Sequence, residues 1–426
     1  MTATTPDLRP TQRRIVLTLS LAQLCSGIGN GAALAIGSLM AVELTGSDAY
    51  AGAVTTALSV AASLAALPLA GLAMRRGRRT ALMSGLGLAA VGAVAMILAP
   101  VLGSFAVLLL GGALLGVGNA ANLQSRFAAT DLATPAHRGR DLSIVVWAIT
   151  IGAVAGPNLI RPGAALGEFL GLPEMSGPFL FSLAGMLIGV VVLAVGLRPD
   201  PLLTARAVGG VSGGASRPSL VDGLRTAARS WPATLGIVTL VAAHVVMVAV
   251  MSMTPVQLRE LDHAAGAQHS SADTLAVIGF VISLHIAGMY ALSPVMGWLT
   301  DRFGRLRTML LAQVLLAAAV LCAGVGADSR TWVTVGLVLL GLGWSAATVS
   351  ASTFVAESVP PERAVLVQGV SDAVMGAAGA VGAATAGMVL AVGGYLGVNL
   401  VGAVTVAVVA VLIVATMTRT RTRPLA

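Results

Sequence analysis

The sequence predicts an all-α membrane protein, with twelve transmembrane helices arranged as two six-helix pseudo-repeats. Three observations carry that prediction. Only 10% of the 426 residues are charged and 57% are hydrophobic, with a mean hydropathy of +0.92. A soluble domain carries about 25% charged residues, so this chain cannot cover a water-facing surface. Twelve apolar stretches follow one another, each close to the ~20 residues that cross a bilayer. Finally, a loop of glycines and arginines occurs once in each half of the chain.

The N-terminus to Arg14 is polar and basic. The apolar spans then lie near 15–42, 50–73, 79–99, 103–128, 141–161, 178–197, 232–254, 274–297, 307–326, 331–354, 366–391 and 395–417. The first run is too long for the apolar core of a signal peptide and lacks a small-residue cleavage site. The segment 198–231 is richer in Arg, Gly, Ser and Pro than the spans and divides the halves. The expected domains are a bundle over 1–197, a cytoplasmic linker over 198–231 and a second bundle over 232–426. Within the linker, 219–231 is expected to form a short amphipathic helix at the membrane surface. Glycine is abundant, which favours close helix approach in a membrane; Gly152 and Gly156 on span five fit that use. The two cysteines, Cys25 and Cys322, both fall in spans and read as small apolar residues rather than a disulfide.

The formal charge is +8, and all 25 basic residues are Arg. A basic total can signal nucleic acid, but here the distribution follows the positive-inside rule. With the N-terminus in the cytoplasm, every Arg except Arg161, Arg259 and Arg330 lies on or near the inner side. Both termini are therefore expected inside, in the plasma membrane.

The repeated loop is Gly71-Leu-Ala-Met-Arg75-Arg76-Gly77-Arg78-Arg79 after span two and Gly297-Trp-Leu-Thr-Asp301-Arg302-Phe-Gly304-Arg305 after span eight. Both connect the second and third spans of their half, as in a parallel internal repeat. The second copy resembles the signature loop of the major facilitator superfamily, G-x-L-a-D-r-x-G-R-r, at the corresponding place in a twelve-span chain. The resemblance implies the major facilitator fold and a conformational latch made by Gly297, Asp301, Arg302, Gly304 and Arg305. The N-half copy lacks the Asp, so its latch is expected to rest on arginines alone, Arg75 and Arg78 among them. The alternative is that these arginines only anchor the topology.

Polar groups inside the spans are costly and usually functional. On span seven, His244, Met247 and Met251 fall at i, i+3 and i+7, on one helix face; on span eight, His285 and Met289 fall at i and i+4. Thioether and imidazole ligands suit Cu(I) better than hard cations. These paired motifs resemble the CcoA-like transporters, whose founding type imports copper. That resemblance places metal ligands at Met247, Met251, His285 and Met289. The same wider family includes carriers of riboflavin. Read from the residues alone, His244 and His285 are also candidate proton carriers, and the methionines are candidate packing groups. Asp372 on span eleven is a candidate for proton coupling. Asn30 on span one and Arg126 at the inner end of span four are candidate cavity groups, with Gln23, Asn122 and Gln124 beside them. Arg126 has the alternative of snorkelling to the interface. Glu260, Asp262, His263, His269 and Asp273 between spans seven and eight read as a solvated loop or a collecting mouth for cations.

No enzyme constellation is present. A P-loop needs a lysine, and the chain has none. The expected function is secondary active transport by alternating access, with copper ion uptake as the first reading. The alternative is proton-coupled movement of a small organic solute, by riboflavin-like import or drug efflux. No cofactor is expected. The expected partners are a small-molecule or metal-ion substrate such as Cu(I) and the lipid bilayer, with no nucleic acid and a monomeric chain.

Overall fold

A computed structural model describes residues 8–47, 50, 53–208, 220–264 and 271–421, with side chains at 28–35, 38–39, 153–158, 160–161, 220, 262–264, 271–279 and 420–421 outside that description. Among the described residues there are helices and no strand. The first half holds α1 (Arg9–Thr45), α2 (Ala53–Val101), α3 (Phe105–Ala128), α4 (Arg138–Asn158), α5 (Ile160–Phe169) and α6 (Pro178–Gly196). Two short helices follow, α7 (Pro201–Val208) and α8 (Leu220–Arg229). The second half holds α9 (Trp231–Ala264), α10 (Ser271–Tyr290), α11 (Ser293–Phe303), α12 (Arg305–Val325), α13 (Arg330–Glu357) and α14 (Pro361–Arg421).

Eight helical stretches among the described residues are long and apolar enough to cross a membrane. Two of them, of 49 and 59 residues, are each long enough for two crossings at about 1.5 Å per residue. Together with α1 and the α4–α5 pair they make twelve crossings, and the chain is a multi-pass membrane protein. The expected amphipathic helix is present as α8. Its Val221 and Leu224 are exposed, and so is Arg225.

The long helices change direction at glycine. Gly77 breaks α2 with φ 88° and ψ 166°, and Gly394 breaks α14 with φ 62° and ψ −169°. A side chain rarely tolerates these angles, so each turn depends on the absence of Cβ. Span eight, expected as one continuous helix, is divided instead. α10 ends at Tyr290 and α11 restarts at Ser293-Pro294. Proline has no N–H to bond to the preceding turn, so it suits the first turn of a new helix.

The chain forms two compact units. One comprises Met1–Thr226 with Pro360–Ala373, the other Ala227–Val359 with Val374–Ala426. Lipid is as apolar as leucine, so helices in a bilayer associate by close packing rather than by escaping water. Small residues provide that closeness. In the first unit Gly116 of α3 lies directly under the Leu58 carbonyl of α2, and Gly27 of α1 meets the backbone of Gly152 on α4. In the second, Gly341 of α13 lies against the α10 backbone at His285 and Met289. Exposed leucines and valines include Leu64, Val191 and Val195 in the first unit and Val404 and Val411 in the second.

Candidate functional sites

The first unit buries an ion pair. Arg126, in the last turn of α3, and Asp372, near the start of α14, are each 2% exposed and hydrogen-bond through Nη2 and Oδ1. The guanidinium also lies 4.8 Å from the centre of the Phe127 ring. Arg126 Nε and Asp372 Oδ2 have no hydrogen-bond partner among the described residues. The snorkelling alternative for Arg126 is thus replaced by a buried pair. Nearby polar groups serve helix contacts. Gln124 Nε2 donates to the Ala66 carbonyl at 2.6 Å, Gln23 Nε2 to the Asn122 carbonyl at 3.1 Å, and Ser26 Oγ to Asn122 Oδ1 at 2.9 Å. Asn30 lies on α1, and its side chain is outside the described residues.

The two glycine loops share a geometry that extends beyond the signature residues. Gly304 has φ 92° and ψ 156°, close to the values at Gly77. The arginine after each glycine makes a two-pronged bond to an acid on a later helix end or loop. Arg78 holds Asp131 at 2.9 and 3.1 Å, and Arg305 holds Glu357 at 2.9 and 3.0 Å. The sequence separations are 53 and 52 residues. Arg78 also donates to Gln368 Oε1 at 2.6 Å. Asp301 lies 3.6 Å from Arg305. Gly297 is buried, while Arg75 and Arg302 are exposed.

The expectation that the N-half loop rests on arginines alone is corrected. Asp131 and Asp200 supply its acids, and Asp200 accepts the Arg79 backbone N–H at 2.8 Å. Burial pushes the Asp131 carboxyl above the usual carboxylate range, and the charge and hydrogen bonds of Arg78 oppose that push. Asp131, Asp200, Glu357 and Gln368 were not singled out from the sequence. The near-equal Arg-to-acid spacing in the two halves is the signal that identifies Asp131 and Glu357.

In the second unit the two histidines address the same helix in opposite tautomers. His285 is fully buried, and its Nδ1 lies 2.8 Å from the Leu337 carbonyl of α13. A carbonyl only accepts, so Nδ1 carries the proton and Nε2 keeps a lone pair. Nε2 has no partner among the described residues. His244 instead accepts at Nδ1 from the Trp344 indole N–H, at 3.2 Å. Trp344 in turn meets Tyr290 edge to face at 5.7 Å. Consecutive spans are expected neighbours, but α9 and α10 each pack on α13 and little on each other. Met247 and Met289 are buried and Met251 is half-buried. Among the described residues no three His, Cys, Asp or Glu side chains gather as metal ligands, so a metal here would depend on methionine sulfur. The stretch expected as a loop is largely helical instead: Glu260, Asp262 and His263 lie in the last turns of α9 and Asp273 in the first turn of α10. Glu260 is exposed, while His269 and the side chains of Asp262, His263 and Asp273 lie outside the described residues. Both cysteines are free and half-buried.

Comparison with known proteins agrees with this architecture. The Major Facilitator Superfamily profile matches residues 19–272 and 262–426. An uncharacterized MFS-type transporter of Bacillus subtilis (strain 168), YddS, is 34% identical over 395 residues, covering 92% of this chain and 88% of that one. The riboflavin transporter RfnT of Brucella anthropi is 28% identical over 381 residues, 85% of each chain. Among solved structures, the human organic anion transporter MFSD10 (TETRAN) superimposes with a TM-score of 0.74 at 19% identity, covering 95% of this chain and all of that one. A bacterial homologue of the iron transporter ferroportin, in an outward-facing state, gives 0.71 at 14% identity, covering 95% and 99%.

Proposed function

The chain belongs to the major facilitator superfamily and is a membrane transporter of that type, and from that premise we propose that it moves a small organic solute by proton-coupled alternating access. The buried Arg126–Asp372 pair is the observation that supports coupling. Withdrawing two charges from water costs several kcal/mol per ion, so a well-packed apolar pair would be the cheaper structural choice. Ionisable groups kept inside a membrane protein are by default functional. A proton arriving at Asp372 weakens its hold on Arg126 and leaves the guanidinium to an anionic or polar partner. Asp372 is thus assigned the proton and Arg126 the counter-charge, with His244 and Asn30 as further candidate groups. The organic substrate class comes from the RfnT relative, a riboflavin transporter. In this reading Gly297, Asp301, Arg302, Gly304, Arg305, Arg75 and Arg78 act as the conformational latch. The working parts are bundles over 1–197 and 232–426 joined by 198–231, in a plasma membrane with both termini cytoplasmic.

A second reading is copper uptake through Met247, Met251, His285 and Met289. The lone pair on His285 Nε2, one helical turn from Met289, favours it. One assay separates the two. Purified protein in proteoliposomes with an acidic exterior is given riboflavin or Cu(I), with and without a protonophore. Riboflavin accumulation that the protonophore collapses is expected. Asp372→Asn is expected to lower that accumulation by about tenfold or more while sparing counterflow exchange, which needs no net proton movement. Protonophore-insensitive riboflavin accumulation, or an Asp372→Asn protein that accumulates as wild type does, removes proton coupling. Copper accumulation lost in His285→Ala/Met289→Ala, without riboflavin transport, replaces the first reading with the second.

A further inference from the structure

In the first unit, polar groups of α1 and α3 meet around a small internal space. Gln23, Asn122 and Ser125, which are 2%, 6% and 4% exposed, line a cavity of about 10 Å³. The rest of its wall is apolar and includes Leu82, Leu86 and Leu193 of α2 and α6. Every residue around it is buried. That volume is about what one water molecule needs, and too little for a solute. The hydrogen bonds of the polar wall are incomplete. Gln23 Nε2 and Ser125 Oγ donate to the Asn122 carbonyl at 3.1 and 2.7 Å, and Ser26 Oγ donates to Asn122 Oδ1 at 2.9 Å. Among the described residues nothing bonds to Gln23 Oε1, an acceptor, or to Asn122 Nδ2, a donor. The Ser125 hydroxyl has given its proton to Asn122 and keeps lone pairs to accept with.

We infer that this cavity binds one water molecule, which accepts from Asn122 Nδ2 and donates to Gln23 Oε1 and Ser125 Oγ. Three polar partners are the usual complement of a buried water, and an amide left buried and unbonded is costly. The lining decides against other small ligands. An apolar one would leave both amide atoms unmatched, and a cation would face the Asn122 N–H with no carboxylate among the lining residues. The water joins α1 to α3 where direct bonds leave a gap. Asn122 and Arg126 fall at i and i+4 on α3, so the site stands one helical turn from the residue that pairs with Asp372. The water is bound whatever solute the chain carries, and whether or not protons drive it.

The test is X-ray hydroxyl-radical footprinting of the purified full chain in detergent, read residue by residue by mass spectrometry. Radiolysis of a bound water oxidises the side chains it touches, even where bulk solvent does not reach them. Leu86 and Leu193 line the cavity, whereas Leu108 and Leu115, buried as deeply, do not. In wild type the first two are expected to oxidise at least about fivefold faster than the second two, because only they stand beside a held water. Gln23→Met keeps the length of the side chain and removes the acceptor, and should bring Leu86 and Leu193 down to the rate of Leu108 and Leu115. Gln313→Met, which removes a buried amide of α12 in the second unit, should leave the contrast unchanged. Equal rates at all four leucines in wild type mean a dry cavity and overturn the site. An undiminished contrast in Gln23→Met, or the same loss in Gln313→Met, overturns the assignment of Gln23 as a partner of the water. Where Gln23→Met does not fold, the wild-type contrast decides alone.

Discussion

Arg78 and Arg305 perform the same task in different surroundings, and the difference sets what their loss costs. Arg78 is 1% exposed and its partner Asp131 7%, whereas Arg305 and Glu357 are 16% and 24% exposed. Removing one member of a buried pair strands a charge and costs ~3–5 kcal/mol. Water screens the more open pair, which is worth about 1 kcal/mol. Arg78→Gln is therefore expected to lower the apparent Tm in detergent at least about twice as far as Arg305→Gln does. Equal shifts, read by thermal-shift chromatography, would show that burial does not govern these pairs. The arginines themselves were legible in the sequence because glycine and arginine cluster in a loop of fixed place. Their acids were not, because they lie 53 and 52 residues away. The Arg126–Asp372 pair spans 246 residues, and no local pattern joins the two.

At the scale of the helix, position decides what a glycine is for. Gly341 is where α13 touches α10, and an added Cβ would press on the His285 carbonyl and the Met289 N–H. Backbone cannot swing aside as a side chain does, so the helices must part. Gly341→Ala is expected to destabilise by about 1–3 kcal/mol, as overpacking does. Gly87, on α2, has nothing within 4 Å of its Cβ position. Gly87→Ala should stabilise by roughly 0.5–1 kcal/mol, since alanine is the better helix former. Opposite signs in the two thermal shifts support this assignment, and a destabilising Gly87→Ala would contradict it. Apolar length made the twelve crossings readable, but local breaks depend on single residues. The division of span eight at Ser293-Pro294 shows this. An apolar run of the right length conceals a proline that starts a second helix. Helix adjacency was the least legible feature. The methionine and histidine stripes of α9 and α10 lie on consecutive spans, yet both histidines bond to α13.

For the whole molecule, orientation remains a matter of charge rather than packing. Nothing in a helical bundle distinguishes its two ends except the residues that the bilayer and the insertion machinery read. Here the arginines make the choice one-sided, since only Arg161, Arg259 and Arg330 fall on the side expected to face outward. The loop after the first long helix pair, with exposed Leu102, carries no arginine, whereas the loop with exposed Ala136 is followed at once by Arg138 and Arg140. Replacing Cys25 and Cys322 by Ser gives a background free of thiols. In that background a membrane-impermeant maleimide should label Leu102→Cys in intact cells. Ala136→Cys should react only after the membrane is opened. The reverse pattern would invert the orientation. Labelling of both positions from outside would require an even number of crossings between them, but α3 alone, 24 residues long, stands between the two positions. One crossing must put them on opposite sides, so the experiment reads the sign of the topology from two residues.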